Sequence, residues 1–195
     1  MDTSGVKANV MDNRSDEILI DSVIGGEKEA FRFLVERHKN LSYSLALKIV
    51  REPMHAEEVA QEAFIKAYRS LKLFNRKSKF STWLFRIVYT TAISFLRKEK
   101  KYIADDILDH ENDAGYEETR MEGLDRKVYI KQALAKLPPD DASAVTLFYL
   151  HQYSLEEVAE VMGQKANTVK VKIHRARKKM AVELAKMLKE EVVNL

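Results

Sequence analysis

Apolar residues recur along most of this chain at spacings of three and four, the period of a helix with one buried face. Ser15 or Asp16 can cap a short first helix carrying Ile18, Leu19, Val23 and Ile24, and Gly25-Gly26 ends it. From Glu27 to about Arg51 a second stripe holds Phe31, Leu34, Val35, His38, Leu41, Leu45 and Ile49. Glu52-Pro53 opens a third, since Pro suits a first helical turn, and it buries Val59, Ala63, Phe64, Ala67 and Leu71. Ser81 or Thr82 is placed to cap a fourth, with Leu84, Ile87, Val88, Thr91 and Phe95 as its core side. Further on, Val128, Ile130, Ala133, Leu134 and Leu137 form a helix that Pro138-Pro139 stops. Asp140 or Asp141 can cap the next, carrying Ala142, Val145, Thr146, Phe148 and Tyr149. The predicted fold is all-α.

The most informative stretch is Ser154 to Met180, which reads as helix, tight turn, helix. Ser154 and Glu157 have capping-box spacing, and Val158, Ala159 and Met162 then share one face. Gly163 supplies the left-handed conformation that a helix end needs. Asn167 or Thr168 restarts the chain, and Val169, Ile173, Ala176 and Met180 repeat as an inward stripe. Outward lie Lys170, Lys172, His174, Arg175, Arg177, Lys178 and Lys179, with no acidic residue from Lys165 to Met180. An ordinary solvated helix face more often mixes Glu with Lys. A capped, one-signed second helix is what a helix-turn-helix places in the major groove of DNA. Beyond it, Leu184, Met187 and Leu188 continue the helix.

Charge divides the chain. The net charge of +3 is too small to point to a polyanion alone, but its distribution is uneven. From Lys66 to Lys101 basic residues face only Glu99, and Trp83, Phe85 and Tyr89 lie among them. Basic side chains can follow a phosphate backbone while aromatics stack on unpaired bases, although Phe85 and Tyr89 could equally serve the core. From Asp105 to Asp125 the sign inverts, with Arg120 the one basic residue, as in a flexible, self-repelling linker. The layout is two helical domains joined by a flexible acidic linker: a tail over 1–14, a domain over 15–104, the linker over 105–126 and a smaller domain over 127–195. In the first domain, Glu57, Glu58, Gln61 and Glu62 form an acidic face. It either complements the helix dipole or docks a basic partner helix.

Other chemistry is not supported. With 0 Cys there is no disulfide framework, thiolate metal site or cysteine nucleophile, as expected in a reducing cytosol. His38 reads as a satisfied core or boundary residue. His55-Ala-Glu-Glu and His110-Glu-Asn-Asp lack the second His of a metal helix, and Gly25-Gly26 lacks the GK[ST] of a phosphate loop. No metal or cofactor is expected, and an enzyme is not. The opening MDTSGVKANVMDNRSDE has no signal-peptide core, and no apolar run approaches the roughly 18–20 residues of a membrane span. A cytoplasmic protein is expected.

Three segments in this order, HAEEVAQEAFIKAYRSL, KFSTWLFRIVYTTAISFLRKEKK and SLEEVAEVMGQKANTVKVKIHRARKKM, resemble the extracytoplasmic-function sigma factors of bacterial RNA polymerase. The resemblance covers about Gly26 to Met180. It implies that Glu57, Glu58, Gln61 and Glu62 dock on the clamp of the polymerase's largest subunit, with the flap as a further contact. It implies that the loop Asn75, Arg76, Lys77, Ser78 and Lys79 captures a flipped base of the −10 element. Trp83 would then stand near the upstream edge of the bubble, and Arg86, Arg97 and Lys98 would hold phosphates. Thr168, Lys170, Lys172, His174, Arg175 and Lys178 would meet the −35 element of promoter DNA. An anti-sigma factor is an implied partner. The alternative function is a stand-alone helix-turn-helix regulator that acts without polymerase.

Overall fold

A computed structural model describes residues 14–106 and 126–193, and among these every regular element is helical. The tail over 1–13 and most of the acidic linker lie outside the described residues. Helix α1 spans Asp16–Ile24, α2 Ala30–Val50, α3 Pro53–Ser70 and α4 Phe80–Asp106. A 3-10 turn, Leu71–Leu73, lies between the last two. In the second half follow α5 Arg126–Ala135, α6 Pro139–Val145, a π turn Thr146–Leu150, α7 Leu155–Met162 and α8 Ala166–Val193.

Helices α2, α3 and α4 pack on one another, and α1 lies across α2. The caps explain where they begin. Ser15 accepts the Ile18 N–H at 3.4 Å, and the Glu52 carboxylate accepts that of His55 at 2.6 Å, ahead of Pro53 at the first position of α3. In α1 the buried pair is Leu19 and Ile20, while Ile18 and Ile24 are exposed. The inward edge of this short helix therefore runs through Leu19, Ile20 and Val23, keeping two of the four expected residues and leaving Ile18 and Ile24 outside. Helix α4 starts at Phe80, ahead of the expected caps Ser81 and Thr82. Phe80 is buried in a ring cluster with Phe74, Trp83 and His38, and seating it there draws the first turn back over the loop. Phe85 and Tyr89 are both buried, so each of these aromatics serves the core.

His38 is a core residue. It is buried, its Nε2 lies 2.9 Å from Asp16, and its ring meets Phe80 and Phe85 edge-on.

In the second half, α5, α6 and α7 all pack on α8. Pro139 occupies the first position of α6, with Pro138 as the capping residue and no side-chain cap. Its fixed φ starts the helix two or three residues earlier than an Asp140 or Asp141 cap would. Both aspartates therefore stand in the first turn, where their charge still suits the dipole.

The two halves share one core. A single buried cluster runs from Leu34, Phe85 and Val88 into Ala144, Leu147, Val158, Val161 and Ile173, and a smaller one joins Leu134, Leu137, Val145 and Ala176. Helix α4 packs on α7, and α2 on α6. At the end of α2, Arg51 takes a left-handed conformation, φ 65°, which costs an L-residue about 1 kcal/mol. Its guanidinium donates to the Leu137 carbonyl at 2.8 Å, a bond between the halves that helps offset the strain.

Candidate nucleic-acid interface

Three surfaces carry the residues singled out from sequence. The first is the outer face of α3. Its buried side, Ala56, Val59, Ala60, Ala63, Phe64 and Ala67, leaves Glu57, Glu58, Gln61 and Glu62 exposed together. Beside them a groove of about 410 Å³ runs between α3 and α4, with Ile65 and Phe95 adding apolar surface and Lys66 and Lys98 adding positive charge. Lys66 reaches back to Glu62 at 3.3 Å, while among the described residues no ion pair is made by Glu57 or Glu58.

The second surface is the loop before α4. Asn75 folds it locally, its side chain accepting the Lys77 N–H at 3.1 Å, and Arg76 adopts φ 57° to pair with Asp21 of α1. Lys77 is exposed. Ser78 donates to Glu160 at 2.6 Å and Lys79 meets Glu157 at 2.9 Å, so both are engaged by α7 of the other half. Trp83 is half-buried against Phe74 and Phe80, with ring centroids 5.1 and 5.7 Å away. Arg86, Arg97 and Lys98 are exposed along α4.

The third surface is the turn and second helix of the α7–α8 pair. Ser154 and Glu157 close their capping box in both directions, at 3.1 and 2.9 Å. Hydrogen bonds from the Ser154 backbone, with help from Lys79, hold the Glu157 carboxyl below its usual range. Gly163 ends α7 at φ 63°, and α8 begins at Ala166. Val169, Ile173 and Ala176 are buried; Thr168, Lys170, His174, Arg175 and Lys178 are exposed. Lys172 is different: its ammonium donates to Asp140 at 2.8 Å and its side chain is mostly covered.

Asp140 is the residue that periodicity did not single out beyond a cap. It accepts the Tyr89 hydroxyl at 2.7 Å and the Lys172 ammonium, with Gln164 a further donor. Burial pushes its carboxyl up, yet these donors outweigh burial and hold it below the usual range. The Tyr89 phenol is driven well above its ordinary value, by burial first and then by Asp140, so it stays a donor. One carboxylate thus links α4, α6 and α8.

These surfaces coincide with recognised families. The sigma-70 region 2 family matches residues 34–102, and the sigma-70 region 4 family matches residues 127–180. Among curated proteins, the ECF RNA polymerase sigma factor SigW of Bacillus subtilis (strain 168) is 32% identical, covering 85% of this chain and 94% of that protein. The chain belongs to the ECF group of the sigma-70 family.

The ECF RNA polymerase sigma-E factor of Haemophilus influenzae is 35% identical over 84% of this chain and 92% of its own length. The RNA polymerase sigma-H factor of Pseudomonas aeruginosa is 32% identical over 93% and 100%. Two solved structures share the fold. One is the sigma factor RpoE bound to the anti-sigma factor NepR from Bartonella quintana, with TM-score 0.64, 22% identity and coverage of 80% of this chain and 96% of that one. The other is CnrH bound to the cytosolic domain of CnrY, with TM-score 0.62, 24% identity and coverage of 88% and 97%. This ECF sigma factor therefore functions in promoter-specific transcription initiation with RNA polymerase. No helix among its described residues is long and apolar enough to cross a membrane.

Proposed function

We propose that the protein is cytoplasmic, performs no catalysis of its own, and divides its work among the three surfaces. The exposed row Glu57, Glu58, Gln61 and Glu62 docks on the clamp of the polymerase's largest subunit, the second domain on the flap. A row of like charge beside a groove that also offers Ile65 and Phe95 favours a basic, partly apolar helix as its partner. Asn75 to Lys79 hold a base flipped from the −10 element, with Trp83 at the bubble edge, and Arg86, Arg97 and Lys98 take phosphates. Unstacking a base costs a few kcal/mol, which a stacking or pocket contact can offset. Thr168, Lys170, His174, Arg175 and Lys178 meet the −35 element, joined by Lys172 when it leaves Asp140. The acidic linker follows the polymerase channel, and an anti-sigma factor holds the protein off polymerase, by analogy with the related complexes.

The observation that carries this reading is the separation of sign: an open acidic face on α3 and an open cationic face on α8 within one chain. The test is charge reversal. Glu57→Lys with Glu58→Lys is expected to weaken co-purification with core polymerase at least tenfold while leaving helicity unchanged. Unaltered co-purification would remove the docking assignment.

A further inference from the structure

Between Lys170 and Lys179 the exposed residues of α8 are basic side chains and His174, with Val171 the one apolar member among them. Val171 is 49% exposed. Two residues on from buried Val169, at about 100° per residue, it points almost directly away from the core stripe. Lys170 and Arg177 lie to one side of it on the helix surface, and Lys172 and Lys179 to the other. Around it an open concavity of about 510 Å³ is lined also by Asn167, Thr168 and Arg175. Lys172 and Lys179 on one flank are steadied by Asp140 and Asp141, the latter at 3.7 Å.

A helix lying in the major groove meets phosphates with its flanks and base edges with its central row. Val171 sits in that central row. Its two methyls can neither donate nor accept, so a base edge of hydrogen-bonding groups pressed on it would lose water with no replacement. The one apolar group that bases display in the major groove is the C5-methyl of thymine.

We propose that Val171 is a specificity-determining residue that reads a thymine methyl in the −35 element. This rests on α8 entering the major groove, and it adds to the charged contacts a residue that makes no ionic contact at all. Arg175, one turn further along the same row, reaches a neighbouring base, and the flanking lysines set the register.

The test uses holoenzyme assembled from core polymerase and the full chain. It selects among duplexes randomised across the −35 segment, and the preferred site is rebuilt with deoxyuridine replacing each thymidine in turn. Loss of the methyl at one position is expected to weaken wild-type binding about fourfold, the worth of one methyl-sized group taken from water. The Val171→Ala holoenzyme should bind the thymidine site as weakly as wild type binds the deoxyuridine site, and lose nothing further on deoxyuridine. Val171 is exposed and alanine favours helix, so the variant folds. A preferred −35 site without thymidine, deoxyuridine effects absent at every position, or a Val171→Ala protein that keeps the wild-type deoxyuridine sensitivity would each overturn the proposal. Failure of the underlying reading looks different: wild-type holoenzyme would then select no −35 sequence, and Arg175→Ala would change nothing.

Discussion

Replacing Tyr89 by Phe removes one oxygen and keeps the ring. Tyr89 is 6% exposed in α4, and its hydroxyl donates to Asp140 of α6 at 2.7 Å, across the seam between the halves. A hydrogen bond to a charged acceptor contributes about 1.5–3 kcal/mol. Here the Asp140 side chain is 37% exposed and keeps Lys172 as a partner, so we expect the lower part, about 1–2 kcal/mol. The ratio of closed to separated halves should then fall about 5- to 30-fold. With 0 Cys in the chain, cysteines introduced for Lys28 and Val182, both exposed, accept a fluorophore pair cleanly. Energy transfer followed through urea below the unfolding range should show the Phe variant separating at lower denaturant than the parent. Coincident curves would refute the reasoning that this bond holds the seam. The consequence reaches DNA: the Ser78 hydroxyl is bonded to Glu160 of α7, so a strand that takes this hydroxyl must displace Glu160, while Lys79 stays 75% exposed beside Glu157.

Two further predictions concern stability. Phe85→Ala empties a fully buried site in the shared core and should cost about 3–5 kcal/mol, read as a lower urea midpoint; a loss under 1 kcal/mol would contradict the packing. Asp16 sets an acid limb. Burial pushes its carboxyl up, but the interactions with His38 and Arg37 together hold it below its ordinary value of 3.8. Its contribution is therefore complete above pH 3.8 and lost as pH falls through the lower folded value. Asp16→Asn should lower the urea midpoint at neutral pH and flatten its decline below pH 4, and parallel curves for variant and parent would count against it.

Local rules made much of the fold legible. Ser154 and Glu157 are three residues apart, Gly163 closes the same helix, and the stripe Val169, Ile173, Ala176 is set by helical period alone. The residues that join the halves were not legible, because they lie far apart in the chain. Tyr89 and Asp140 are separated by 51 positions, Ser78 and Glu160 by 82. Asp140 read as a cap because a carboxylate after Pro-Pro suits that role, and only the tertiary fold brings Tyr89 and Lys172 to it. Phe85 and Tyr89 were ambiguous for a related reason, since an aromatic among basic residues fits a core or a nucleic acid equally. Val171 carries no charge, so counting charge assigned it no contact, and only its exposure between the basic flanks of α8 gives it one.

The central claim, that this chain directs polymerase to promoters through two DNA-contacting domains, is tested most directly by run-off transcription. Core polymerase is mixed with genomic fragments, with and without the full chain. Transcripts of fixed length should arise only when the chain is present, and Arg175→Ala should reduce them while the variant still co-purifies with core. Tight specific binding of the chain alone to the same fragments, with no added transcript, would contradict the account.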